Sequence, residues 1–283
     1  MNIKMSTLAI LITVYNRKEK TIRCLSNLFS QVNIDRYKLY VYVVDDGSTD
    51  GTSEEIAKLF PQVNLIKGDG NLFWNRGMYK AWKAAAKDKE YDFYLWLNDD
   101  TNIVDDCIER LLNLSSVHKD TAIIIGSTCA TGNPNKITYG GWKNGMLLTD
   151  LSKPNKCETM NGNIVLIPKS VYDVLGMNDP TFRHCLGDTD YALRANEQGI
   201  LCLTGIGIFG ECDAHDRPTI WMDPTQPFSK RWKNFFSPLG NNPFEFYYFR
   251  RKHSGILAAC STFVSNWLHF FFPQIWAKNN KEV

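Results

Sequence analysis

Residues 39–50 read LYVYVVDDGSTD. Residues 39–44 form an apolar, β-favouring run with no polar interruption, the pattern of a strand buried on both faces of a parallel sheet. The run stops at Asp45-Asp46-Gly47-Ser48, a turn-forming cluster. Thr52 with Glu55 then gives a capping-box pattern, and Ile56 and Leu59 follow at helical spacing. The same grammar holds upstream. Residues 8–13 (LAILIT) predict a strand, Asn16 with Glu19 a capped helix start, and Ile22, Leu25 and Phe29 a helix face. Downstream, residues 63–66 predict a third strand. Residues 71–87 predict a helix carrying Met78, Trp82 and Ala85 on one face, and residues 93–97 a fourth strand ending at Asn98-Asp99-Asp100. Strands and helices alternating in units of about thirty residues make right-handed βαβ crossovers and a parallel sheet.

After residue 115 the pattern changes. Residues 122–126, 137–139 and 163–167 look like strands with Gly-rich turns, and a helix at 188–198 is stopped by Gly199. The expected fold class is α/β: a Rossmann-like, mixed but mainly parallel sheet flanked by helices, with a helical, aromatic C-terminal extension. The expected division is 1–227 (halves 1–115 and 116–227) and 228–283.

The 283 residues carry 32 Lys and Arg against 30 Asp and Glu, and 44% are hydrophobic. Disorder is excluded by this composition. A dedicated nucleic-acid binder needs a basic surplus that is absent here. None of the eight cysteines forms a C-x-x-C pair, so they read as reduced thiols, mostly in the core. The first apolar run is too short for a signal-peptide core with a cleavage site. Residues 256–272 include Ser261, Thr262, Ser265, Asn266 and His269 and precede Pro273, so they are not read as a membrane span. These features predict a cytoplasmic protein.

The polar clusters sit just past strand ends, the edge at which open α/β sheets bind ligands. Tyr15 offers a ring for stacking on a base and Asp46 an acceptor for a base N–H, or Asn16, Ser48 and the acids simply shape the turns. Asp99 and Asp100 form either a hard-oxygen site for Mg2+ or Mn2+, or a plain strand-to-helix turn. Asp188 opens a predicted helix, where an acid suits the exposed N–H groups and where a general base reaches a ligand at the rim. Asp190, two residues on, reads as structural. His215 is a lone histidine that matters only beside a metal. No Gly-rich dinucleotide or P-loop fingerprint follows any strand.

In this order the residues resemble glycosyltransferase family 2, inverting enzymes of the GT-A fold. Thr13-Val14-Tyr15-Asn16-Arg17 is similar to the family's T-x-Y-N segment, and residues 44–50 (VDDGSTD) to its most specific element. Asn98-Asp99-Asp100 stands at the D-x-D metal motif and Gly187-Asp188 at the E-D motif. Two positions depart: Asn98 replaces the first Asp, and Gly187 replaces Glu. Residues 70–77 (GNLFWNRG) resemble the donor segment of the rhamnosyltransferase-like branch, which builds bacterial surface polysaccharides and O-antigens.

The resemblance implies a nucleoside-diphosphate sugar donor, UDP- or dTDP-linked, and a glycan or polyprenyl-linked glycan acceptor. Residues 1–115 become the nucleotide-binding half and 116–227 the acceptor half. Thr13, Tyr15, Asn16, Asp46, Gly70, Asn71, Trp74, Asn75, Arg76, Asn98 and Asp99 are implied as donor contacts. Asp100 and His215 are implied to hold Mn2+ or Mg2+, and Asp188 is the implied catalytic base. Two rivals are weighed: a sugar nucleotidyltransferase, whose Gly-rich first loop residues 13–17 lack, and a degenerate module that only binds glycan or a partner protein.

Charge and aromatics are not evenly spread. Residues 228–283 carry a net charge of +6 and 15 of the 36 aromatic residues, leaving −4 on residues 1–227. Two readings of this extension stay open. One is a peripheral membrane contact through 244–276 at the inner face of the plasma membrane, beside a lipid-linked acceptor. The other is packing on the core or a homodimer interface. Aromatic and basic residues also suit single-stranded nucleic acid, but the overall charge balance sets that reading aside.

Overall fold

A computed structural model describes residues 5–33, 36–214 and 220–274. The chain divides into two compact units, residues 1–180 with 187–214, and residues 181–186 with 215–283.

The first unit is built on a nine-stranded sheet. Strand β1 (Ser6–Val14), helix α1 (Lys18–Phe29), β2 (Tyr37–Asp45), α2 (Thr52–Leu59), β3 (Asn64–Lys67), α3 (Phe73–Asp88) and β4 (Phe93–Leu97) follow the alternation predicted from sequence. β1 pairs in parallel with β2 and β4, and β2 with β3. Beyond them come β5 (Asn102–Ile103), α4 (Cys107–Val117), β6 (Ile123–Ala130) and β7 (Asn133–Tyr139). The short strands β8 (Gly141–Lys143), β9 (Met146–Leu147) and β10 (Thr159–Met160) form a separate antiparallel sheet. β11 (Ile164–Pro168), α5 (Lys169–Leu175), α6 (Gly187–Glu197) and β12 (Cys202–Glu211) complete the unit. β11 runs antiparallel between β4 and β6, whereas β12 pairs in parallel with β6. The sheet is mixed, mainly parallel in its first half.

Period-2 alternation splits β1 between two cores. Leu8, Ile10, Ile12 and Val14 pack with Leu25 and Leu28 of α1, Ile56 of α2 and Ile108 and Leu111 of α4. Ala9 and Leu11 pack on the other face with Met78, Ala81, Trp82 and Ala85 of α3 and Tyr191 and Ala195 of α6. Burying both faces is what a near-continuous apolar strand requires, and its burial drives assembly at about 25 cal/mol per Å2.

Local chemistry departs from the sequence expectation at the helix starts. Asn16 does not cap α1. It has φ 50°, its Oδ1 accepts from the Thr49 N–H, and its own N–H donates to Ser48 Oγ. The cap arrives from elsewhere: Asp50 accepts from the Lys18 N–H of α1 and from the Thr52 N–H of α2. One carboxylate thereby serves two helix starts, and the expected capping boxes are unnecessary. A helix does not follow Asp100 directly either. β5 intervenes and pairs with β12, so Asp99 and Asp100 are not helix caps.

In the second unit, a 3-10 turn (Ile220–Met222), α7 (Phe228–Phe235) and α8 (Pro243–Phe271) surround an aromatic core of Trp221, Phe235 and Phe270. Pro243 sits in the first turn of α8, and the Asn242 side chain accepts from the Phe244 and Glu245 N–H groups. Arg183 holds the start of α8 through Glu245, Nε to Oε1 at 2.6 Å. Among the described residues no helix is long and apolar enough to cross a membrane.

Candidate active site

The C-terminal ends of β1, β2 and β4, the chain entering β11 and the N-terminus of α6 share one edge of the sheet. The polar residues singled out above gather there because parallel strands deliver their C-termini to the same side.

Asp45 and Asp46 leave β2 buried. Asp45 is an internal brace, accepting from the Ser48 N–H and from Ser53 Oγ. Asp46 shapes a neighbouring loop. Its Oδ1 accepts from the Gly70 N–H, and its Oδ2 accepts from the Leu72 and Phe73 N–H groups, each at 2.9 Å. Gly70 takes φ 84°, which a residue with a Cβ rarely adopts. The segment 70–72 is therefore an Asp46-bound loop, and α3 starts at Phe73 rather than at Asn71. The acceptor expected for a base is in this structure an anchor for the loop beside it. Tyr15, 56% exposed, and the exposed Asn71 stand at the rim.

Trp74 joins the loop to the rest of the site. Its Nε1 donates to Asn98 Oδ1 at 2.7 Å. Its ring lies so close to Gly162 that a Cβ there would sit 2.3 Å from a ring carbon. The Gly162 N–H in turn donates to Asp188 Oδ2 at 3.1 Å, while the Thr189 N–H donates to Oδ1 at 2.8 Å. Burial raises the Asp188 pKa above the ordinary 3.8, with the Thr189 and Gly162 N–H groups pulling the other way. The half-buried carboxylate is thus aimed by two backbone donors and biased towards holding a proton.

Gly187 explains its own departure from the E-D pattern. A Cβ at Gly187 would lie 1.9 Å from Asn75 Oδ1. Asn75 is fully buried, donates to Asp179 O, and accepts from Asn178 Nδ2 at its own Oδ1. It fastens α3 to the 178–179 chain. Arg76 is half-buried and spends its Nε on Pro180 O. Thr13 donates to Val44 O and stands against Gly77, so it braces β1, β2 and α3. Asp190 is fully buried and paired with Arg194 at 3.0 Å, the structural role expected of it.

The end of β4 carries the acids. Arg17 Nη1 lies 3.0 Å from Asp99 Oδ1 and 2.8 Å from Asp100 Oδ2. Burial pushes the Asp99 pKa up to about 7; Arg17 opposes this and Asp100 reinforces it. Burial works against the Arg17 charge, but the two carboxylates outweigh it and raise its pKa. The Cys212 thiol donates to Asp100 Oδ1 at 3.7 Å, and burial with the nearby Asp100 charge pushes its pKa up to about 12. Among the described residues no group of three or more His, Cys, Asp and Glu side chains is placed to hold a metal. The donor chemistry at Asp100 still fits Mg2+ or Mn2+, hard ions that take one or two carboxylates and fill other positions with water and phosphate. His215 lies outside the described residues.

Sequence reading missed Arg17, Gly162 and Cys212 as parts of this arrangement. Arg17 was visible in the T-V-Y-N-R segment; Gly162 and Cys212 carry no local signal of their own.

A mainly parallel sheet with a buried acidic corner at β4 and a backbone-aimed carboxylate at a helix start is similar to the GT-A arrangement of glycosyltransferases. The family profile described as Glycosyl transferase family 2 matches residues 9–176. The chain belongs to this family. It is 24% identical over 237 residues to glycosyltransferase AglE of Haloferax volcanii, covering 81% of this chain and 70% of that protein. In fold it is similar to mannosyltransferase PcManGT of Pyrobaculum calidifontis, solved in complex with GDP-Man and Mn2+. The TM-score is 0.56 at 16% identity, over 97% of this chain and 84% of that one.

Proposed function

We propose that this glycosyltransferase transfers a sugar, with inversion, from a nucleoside-diphosphate donor to a hydroxyl of a glycan or polyprenyl-linked glycan. The reading follows the rhamnosyltransferase-like branch and a role in surface polysaccharide or O-antigen synthesis at the cytoplasmic face of a membrane. The carrying observation is the position of Asp188, held by the Gly162 and Thr189 N–H groups and tied through Gly162 and Trp74 to Asn98.

In this reading the exposed Tyr15 ring stacks on the base, and the Asp46-bound loop at 70–72 receives the donor. Asp100 holds the divalent ion, which when bound offsets the charge of the leaving diphosphate. Asp188 accepts the proton of the acceptor hydroxyl as its oxygen bonds to the anomeric carbon. The bond from that carbon to the diphosphate oxygen breaks, and its electron pair leaves with the diphosphate. A single displacement from the face opposite the leaving group inverts the anomeric centre. A carboxylate whose pKa is raised by burial is a stronger base than a free one.

Asp188→Asn is expected to lower turnover by about 10²–10⁴-fold. Donor affinity should stay close to that of the wild type. Calorimetry with Mn2+ and UDP-, dTDP- and GDP-sugars measures the binding, and product release measures the turnover. Wild-type turnover in this variant would remove Asp188 from the base role.

A further inference from the structure

The helix α8 is not straight. Gly255 has φ 85° and ψ 173°, far from helical values, and breaks it into residues 243–254 and 256–271. The two halves fold back on each other. Arg250 Nε donates to Thr262 Oγ1 at 3.2 Å across twelve residues. In a straight helix those residues would stand about 18 Å apart. The Phe244 and Tyr247 rings both meet Phe263, at 5.8 and 5.9 Å. The element is a helical hairpin with its turn at Gly255.

Its two ends differ. The open end is packed: Phe235 stacks on Phe270, and Trp232 and Phe236 of the α7 region meet Trp267 at an angle. The turn is bare. Leu257 is 84% exposed and Ile256 51%. Exposed apolar side chains continue down the second arm at Val264, Leu268 and Phe271. With Leu257 they recur at steps of seven, four and three, one face of a helix about 21 Å long. Beside the turn, on the first arm, stand the exposed Arg250, Arg251 and Lys252. No Asp or Glu occurs between Glu245 and Glu282.

We infer that this hairpin is the membrane-docking element of the protein, with Ile256, Leu257, Val264, Leu268 and Phe271 buried in the acyl boundary of a bilayer and Arg250, Arg251 and Lys252 on its anionic headgroups. Charge decides the occupant. An exposed apolar stripe fits any apolar partner, but three adjacent cations and no acid along the hairpin beyond Glu245 match an anionic lipid surface. A second copy of the same surface would face it with like charge. The glycine turn also matters: it puts the apolar tip and the cations at one end, so that insertion and charge contact occur together. The inference sharpens the expected contact through 244–276 to the hairpin turn and one face of its second arm; residues 275 and 276 lie outside the described residues. It rests on the proposed function only in giving access to a lipid-linked acceptor.

The test uses the full chain and sedimentation with vesicles of phosphatidylcholine alone or mixed with phosphatidylglycerol. The wild type should bind the mixed vesicles, weaken as salt rises, and bind pure phosphatidylcholine poorly. Leu257→Glu, Val264→Glu and the triple change Arg250→Ala, Arg251→Ala, Lys252→Ala should each weaken binding by about tenfold or more. Turnover on a soluble acceptor should not change in Leu257→Glu. Failure of the wild type to bind at low salt overturns the inference, as does undiminished binding by both glutamate variants. A dimer in ultracentrifugation that Leu257→Glu dissociates would equally overturn it. Vesicle binding without sugar transfer would leave the hairpin standing and reject the proposed reaction, and the converse would reject the hairpin alone.

Discussion

Asp46 and Asp188 are both acids past a strand or at a helix start, yet their surroundings give them opposite tasks. Asp46 accepts three backbone N–H bonds from the 70–73 segment. Removing it leaves three donors without their acceptor. Asp46→Ala is expected to cost ~1–3 kcal/mol in urea unfolding. It should also weaken donor binding in calorimetry, because the loop loses its anchor. Asp188 has a raised pKa, caused first by burial. The proposed reaction needs its ionised form, so kcat/KM should fall on acidification with an apparent pKa above the 3.8 of an ordinary aspartate. The stability sign is opposite. A raised folded-state pKa favours the folded protein below the unfolded value and loses that advantage as pH rises through the folded one. The melting temperature of Asp188→Asn should therefore gain on the wild type as pH rises from 3.8 through that raised value. A constant difference across that window would show that Asp188 ionises normally.

At the scale of elements, close approaches set the site as much as charges do. The start of α6 touches α3 where Gly187 meets Asn75, and the chain before β11 lies under Trp74 where Gly162 admits its ring. These contacts bring Asp188, the 70–72 loop and the end of β4 into one arrangement. Gly187→Glu would restore the acid of the E-D pattern in sequence, but its Cβ would overlap a buried side chain that is bonded on several sides. The variant is expected to lose about 1–3 kcal/mol of stability in denaturant unfolding. It should also lose activity, because α6 must shift and carries Asp188 with it. Wild-type stability and gain of activity would show instead that the missing acid limits this enzyme.

At the scale of the whole molecule, the near-neutral net charge averages two different regions. The first unit holds the acidic rim at its strand ends, and the second holds the basic and aromatic hairpin. Eight cysteines outside any disulfide accompany them, six buried and two, Cys185 and Cys260, exposed. Burial pushes the thiol pKa of Cys24, Cys107, Cys157 and Cys202 upwards, which keeps them protonated and unreactive.

The sequence by itself determined the βαβ half of the fold. Continuous apolar runs at 8–13, 39–44 and 93–97 have no way to be satisfied except by burial on both faces, and the turn residues after them mark where the rim must lie. It also placed Asp46, Asp100 and Asp188 on that rim, through a pattern of residues close together in the chain. Tertiary structure alone decided what each does there. The N–H groups that Asp46 binds lie more than twenty residues away, and those around Asp188 include Gly162, twenty-six residues back. The pairing of Arg17 with Asp99 and Asp100 spans more than eighty residues, as does the contact that excludes a Cβ at Gly187. The antiparallel insertion of β11 between β4 and β6 and the fold-back at Gly255 likewise depend on partners distant in the chain. Periodicity and turn chemistry act over a few residues and can be read locally, whereas hydrogen-bond partners and steric approaches are chosen only when remote segments pack together.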